Sequence, residues 1–145
     1  MVIQVVDSQS DIAETLFQCR EDFYNQDFNN IDMIETLSFK FSKYAKVVRF
    51  VDEHNILGFA AYYINNTETR IAFLSMIIIS NKYQGLGLGT ELLNYIQSDC
   101  KNEKMEYLRL EVDLKNANAI RFYTRNSFLE ESRNDKSIFM IKKIH

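Results

Sequence analysis

The chain has 145 residues, 46% of them apolar, with 17 Lys and Arg against 20 Asp and Glu. A net charge of −3 excludes a general cationic field for nucleic acid or an anionic membrane, so a phosphate ligand must be held by local donors. The length suits a single domain, residues 1–145, that buries roughly two-thirds of its unfolded surface, and no apolar run approaches the ~20 residues of a membrane span.

In chain order, Val2 to Val6 reads as a short strand. Asp11 with Glu14 three residues later resembles a capping box for a helix carrying Ile12, Leu16, Cys19 and Phe23 on one face. A second helix carries Ile34, Leu37, Phe41 and Tyr44. Lys46 to Val51 and Ile56 to Ile64 predict a hairpin, and Ile71 to Ile79 a central strand buried on both faces, since its apolar residues run on without alternation. Leu88, Leu92, Leu93, Ile96 and Cys100 form the stripe of the next helix, and Leu108, Leu110 and Val112 alternate as the next strand. Asn116 suits the N-cap of a short helix through Ala119, Ile120 and Tyr123, before strands around Phe128 to Glu131 and Ile138 to Ile141. The order predicts a mixed α/β sandwich.

His54 and His145 have no clustered acid or cysteine partner, which argues against a metal site and against Ser-His-Asp chemistry. Cys19 and Cys100 lie far apart without metal-ligand spacing, so reduced, buried thiols in a cytoplasmic protein are expected.

Three of the four glycines fall in Gln84-Gly85-Leu86-Gly87-Leu88-Gly89, between the apolar strand and the helix stripe. Glycines admit φ > 0 and close approach to a ligand, while the first helical turn presents amides without intrahelical partners. A diphosphate fits such donors, although a lone glycine-rich loop is also compatible with a mere tight turn. A Rossmann fingerprint fits poorly. The third glycine follows the second by two residues instead of three, and Ser80 to Gln84 intervene between strand and loop. A P-loop is excluded because no Gly-Lys-Ser/Thr ending is present.

The stretch from Ile77 to Gly89 resembles the acetyl-CoA motif of the GCN5-related N-acetyltransferases, Arg or Gln, two residues, Gly, one residue, then Gly or Ala, at Gln84, Gly87 and Gly89. A second stretch, Asn116-Ala117-Asn118-Ala119-Ile120-Arg121-Phe122-Tyr123 followed by Phe128, is similar to that family's Asn-x-x-Ala-(Ile)-x-x-Tyr pattern. The resemblance implies an α/β (α+β) fold with a mixed, mostly antiparallel sheet flanked by helices on both faces. It also implies transfer of an acetyl group from acetyl-CoA to a primary amine of a small molecule, amino sugar or protein N-terminus.

It further implies that amides of Gln84, Gly85, Leu86, Gly87, Leu88, Gly89 and Thr90 hold the pyrophosphate of coenzyme A. Its pantetheine arm would pair beside Ile77, Ile78 and Ile79, with Asn116 and Ala119 nearby. By the same resemblance Tyr123 is the general acid for the departing thiolate; without it, Tyr123 reads as a core aromatic on an amphipathic helix. Asn116 is equally explained as an N-cap.

Glu111, twelve residues before Tyr123, is the candidate base, as in the ribosomal-protein N-terminal acetyltransferases of the family; it also reads as a solvent-facing residue or a partner of Arg109. Many relatives carry an acid on the strand before the glycine loop, where this chain has only Ser75. Gln84 replaces the commoner Arg, Asn81 stands where Pro is frequent, and Ser127 stands where Gly is usual, which would leave Asn126 to supply a left-handed turn.

The acceptor site implied by the resemblance is Arg20 to Phe41, where Phe23, Tyr24 and Phe28 alternate with Asp22, Asp27 and Asp32. Those acids would suit a cationic acceptor, and they equally suit solvated helix faces. A homodimer is left open, and the rival reading is a non-catalytic CoA-binding sensor or structural module of the same fold.

Overall fold

A computed structural model describes residues 2–144; His145 lies outside them. Seven strands, β1 (Val2–Val6), β2 (Lys46–Val51), β3 (Ile56–Tyr63), β4 (Ile71–Ile79), β5 (Tyr107–Asp113), β6 (Leu129–Arg133) and β7 (Ser137–Lys143), form one sheet in the order β1-β2-β3-β4-β5-β7-β6. Every pairing is antiparallel except β4 with β5. Helices α1 (Gln9–Cys19) and α2 (Ile31–Tyr44) cover one face through Ile12, Leu16, Ile34 and Phe41. The other face carries α3 (Leu88–Asn102) and α4 (Ala117–Arg125), with Leu92, Leu93 and Ile96 fully buried. Each such side chain contributes roughly 1.5–3 kcal/mol by leaving water. The fold is the mixed α/β sandwich expected, with helices on both faces of a mostly antiparallel sheet.

The start of α1 differs from expectation. Its N-cap is Ser8, whose Oγ accepts the Asp11 amide at 3.1 Å, so Asp11 sits inside the first turn. There its carboxylate faces the positive end of the helix dipole. Phe23 lies beyond the end of α1 and still packs edge-on against Phe59 at 6.3 Å.

The strand expected to be buried on both faces is central, but only Ala72 and Leu74 are buried; Ser75 is exposed and Met76 to Ile79 are half-buried. The cause is its partner: β5 pairs with β4 only from Ile71↔Tyr107 to Leu74↔Leu110 and then diverges. Where the pairing stops, β4 carries a bulge, since Tyr62 opposes Leu74 and Ala61 opposes Met76, leaving Ser75 as the extra residue. A bulge bends its strand and sharpens the local twist. It also inverts the side-chain alternation: Ala72 and Leu74 face α3 and α4, but beyond Ser75 it is Ile77 and Ile79 that do, while Met76 and Ile78 face α1 and α2. The sheet is thereby split by a slot between β4 and β5.

Two features fix the strands and helix around this slot. Gly58 on β3 lets that strand lie close against β4: a Cβ there would stand 2.5 Å from the Ile78 carbonyl oxygen. On α3, Asp99 accepts a 2.7 Å hydrogen bond from the buried Tyr62 hydroxyl of β3 and pairs with Lys46 of β2 at 3.1 Å, anchoring the helix to the sheet.

After α4 the left-handed residue is Ser127 itself, at φ +73°, and Asn126 stays at φ −93°. Asn126 is occupied instead in closing the helix, its Nδ2 donating to the Phe122 carbonyl at 2.8 Å. A left-handed L-residue costs about 1–2 kcal/mol, partly offset by the extra unfolded-state freedom of glycine. Ser127→Gly is therefore expected to raise stability by roughly 0.5–1 kcal/mol, read as a higher urea midpoint at unchanged slope.

Candidate active site

Successive amides of a strand point to alternate edges. The Ser80 amide donates to the Leu57 carbonyl of β3 at 2.9 Å, so the amides of Ile79 and Ile77 face the opposite edge, into the slot. The position of the Ile78 carbonyl, turned toward Gly58 of β3, agrees. Ile77 thus offers its N–H and C=O, and Ile79 its N–H, along an unpaired inner edge, a place for an extended polar chain to add as a strand.

The slot opens toward the glycine loop. Gly85 and Gly87 have φ of +81° and +80°, and Gly87 is the N-cap of α3, so the amides of the first turn stand free at the positive end of a 15-residue helix. Gly89 lies close to α4 without strain of its own: a Cβ there would stand 3.2 Å from the Phe122 ring, which would have to shift by a few tenths of an ångström. Gln84 braces the loop, its Nε2 donating to the Ile79 carbonyl and to Asn81 Oδ1, both at 3.0 Å.

Together these elements enclose a cleft of about 450 Å³. Of the residues the sequence marked for the cofactor, Ile77, Ile79, Gln84, Gly85, Gly87, Leu88, Gly89, Thr90, Ala119 and Tyr123 line it. Three do not. Ile78 turns its side chain to α1 and α2, Leu86 is 62% exposed, and Asn116 caps α4 by accepting the Ala119 amide at 3.2 Å.

Sequence reasoning missed Tyr83, Asn118, Phe122 and Arg125. Asn118, Phe122 and Arg125 recur at four and three residues, a single face of α4, and that spacing was a usable signal. Arg125 matters because it is a cation on the wall of a cleft whose glycine loop, Gln84 to Gly89, carries no charge of its own.

Tyr123 is buried, with its ring edge-on to Phe122 at 5.4 Å and to Phe128 at 5.6 Å. Burial pushes its phenol well above the ordinary value, so it is protonated throughout the neutral range. Glu111 lies elsewhere. Leu110 and Val112 point into the core with Tyr123, so Glu111, between them, is exposed on the opposite face of the sheet. It does not pair with Arg109, whose Nε meets Glu131 at 2.7 Å and whose guanidinium lies over Phe139 at 4.9 Å. Cys19 and Cys100 are buried free thiols, each pushed up to about 12, chiefly by burial. Among the described residues no group of three acidic, His or Cys side chains is placed to hold a metal, and no helix is long and apolar enough to cross a membrane.

A split sheet with free inner-edge amides, leading to a glycine-capped helix N-terminus, offers hydrogen-bond donors in a line suited to an extended ligand that carries a diphosphate. Residues 11–128 match the Acetyltransferase (GNAT) family, and the chain belongs to it. No sequence match is found among curated proteins.

Solved structures share the fold. Aminoglycoside 6'-acetyltransferase type Ii is 17% identical, with TM-score 0.84 over 100% of this chain and 98% of that one. The ribosomal-protein-S18-alanine N-acetyltransferase from Escherichia coli is 20% identical, with TM-score 0.80 over 99% and 94%. PaiA N-acetyltransferase from Thermoplasma acidophilum, in complex with coenzyme A, is 17% identical, with TM-score 0.78 over 99% of each chain.

Proposed function

We propose that this chain transfers an acetyl group from acetyl-CoA to a primary amine by direct attack within a ternary complex. The observation that carries this reading is the slot: the inner-edge amides of Ile77 and Ile79 run directly to the free amides of the glycine loop. The pyrophosphate of acetyl-CoA is held by the amides from Gln84 to Thr90, with charge supplied by Arg125, and its pantetheine arm pairs with β4.

An edge amide of β4 hydrogen-bonds the thioester oxygen as negative charge develops there, a fixed donor that needs no reorganisation. Tyr123 donates from one face of the sheet to the departing sulfur. Its raised phenol pKa lies above the ~8.5 of an ordinary thiol, so it gives a hydrogen bond ahead of full proton transfer. From the other face Glu111 takes a proton from the incoming ammonium. Leaving group and nucleophile are thus served from opposite sides of one split sheet.

The acceptor, a primary amine on a small molecule, amino sugar or protein N-terminus, enters beside the turns that join α1 to α2, among Phe23, Tyr24 and Phe28 with Asp22, Asp27 and Asp32. The direct test is a thermal-shift titration with acetyl-CoA beside NAD and ATP. Ligand at about 100 times its Kd adds roughly 2.7 kcal/mol, which is several degrees for a chain of this size. A rise with acetyl-CoA alone is expected. Binding without release of CoA thiol across a broad panel of primary amines would instead favour a non-catalytic CoA-binding module.

A further inference from the structure

Ser75 is the only exposed residue of the central strand, although β4 lies in the middle of the seven-stranded order. It is also the bulged residue, and it immediately follows the last parallel pair, Leu74↔Leu110. The residue that immediately follows that pair on β5 is Glu111. Ser75 and Glu111 are therefore the first residues on either bank of the slot.

They also share a face. In a bulge two residues oppose one on the partner strand, and here Ser75 and Met76 oppose Ala61, which packs with Met76 toward α1 and α2. Leu108, Leu110 and Val112 all point to the α3 and α4 side, so Glu111 points the other way, to the side of Ala61. The nearest cation on that face of β5, Arg109, is already taken by Glu131. Glu111 makes no ion pair among the described residues.

We propose that Ser75 and Glu111 together form the seat for the acceptor's ammonium, Ser75 as a positioning residue and Glu111 as the proton acceptor. The inference rests on the acetyltransferase reading above. The Ser75 hydroxyl oxygen accepts one N–H of the ammonium and aims the nitrogen along the slot. Glu111 removes one proton and passes it to solvent, and the freed lone pair forms the C–N bond at the thioester carbon. The C–S bond breaks with its electrons on sulfur, which gains the second proton through the Tyr123 side; the third stays on the amide. A hydroxyl on β4 cannot serve as the base at neutral pH, so this chain divides between two strands what a single acid on β4 would do alone.

The juxtaposition is tested without reference to activity by the thiol of a Ser75→Cys variant, titrated by its rate of reaction with 4,4′-dithiodipyridine. Cys19 and Cys100 stay silent because both are buried and held near 12. A neighbouring carboxylate disfavours the thiolate, so the thiol pKa is expected to fall by about half a unit when Glu111→Gln is added. Equal values in the two variants would overturn the proposal whatever the protein catalyses.

The functional half is read from steady-state acetylation of a primary amine taken from the panel. Ser75→Ala is expected to raise the amine KM roughly 10-fold, the worth of one hydrogen bond to a charged group, at unchanged KM for acetyl-CoA, and Ser75→Thr to restore it. An unchanged amine KM in Ser75→Ala would overturn the positioning role. A wild-type protein that acetylates nothing would instead fail the acetyltransferase reading, and the thiol titration would still decide whether the two side chains face each other.

Discussion

Tyr123→Phe is expected to lower kcat by roughly 10- to 1000-fold, the range for loss of a positioned acid, while acetyl-CoA binds as before. The substitution is clean because it removes only the hydroxyl. The ring keeps its edge-on contacts with Phe122 and Phe128, and the buried face of α4 keeps its packing. Because burial already holds the phenol protonated well above neutrality, the loss should be flat between about pH 6 and 9, with no shift of the profile. Turnover and a thermal-shift titration on the same sample separate the two effects. Unchanged kcat would return Tyr123 to the role of a core aromatic.

Gly87→Val is expected to weaken acetyl-CoA by roughly 100-fold or more without unfolding the chain. A Cβ at Gly87 meets nothing within 4 Å, so the folded protein has room for the side chain. The conformation is what the substitution cannot keep, because φ is +80° and a β-branched residue is a severe outlier there. The loop must then re-form, turning the first amides of α3 away from the ligand. Each hydrogen bond to a charged group is worth about 1.5–3 kcal/mol, so losing two accounts for the expected drop. Calorimetric titration checks the affinity and circular dichroism the fold; retained affinity would mean that the loop is only a turn.

The elements were legible because their signals are local. Helix stripes at three and four residues, alternation in β5, and the glycine cluster before Leu88 each depend on neighbours a few residues apart. The strand ends and caps shifted where two polar residues competed for one role. Ser8 won the cap of α1 from Asp11 because it stands one turn earlier with its hydroxyl in reach. Ser127 took the left-handed position because Asn126 was committed to the last carbonyls of α4.

The site divides in the same way. Of the ten residues marked for the cofactor that meet in one cleft, Gln84, Gly85, Gly87, Leu88, Gly89 and Thr90 do so because a glycine loop and the helix it starts are contiguous in the chain, whereas Ala119 and Tyr123 reach it only through the docking of α4. The side-chain direction of Ile78 was not legible because a run of four apolar residues carries no visible parity, and only the bulge at Ser75 decides which of them face α3 and α4. Arg125 was missed because its value lies in where α4 docks, beside a loop 36 residues earlier in the chain.

By itself the sequence determined the order of elements, the family and the glycine loop that starts α3, since each rests on periodicity or on spacing within one segment. Only the tertiary structure decided that β4 and β5 part after Leu74 and Leu110, that Tyr123 and Glu111 stand on opposite faces, and that Ser75 is the bulged residue where they part. Those facts depend on where pairing between strands 36 residues apart begins and ends. That register is set by a bulge and by packing against four helices, which no stretch of chain carries within itself.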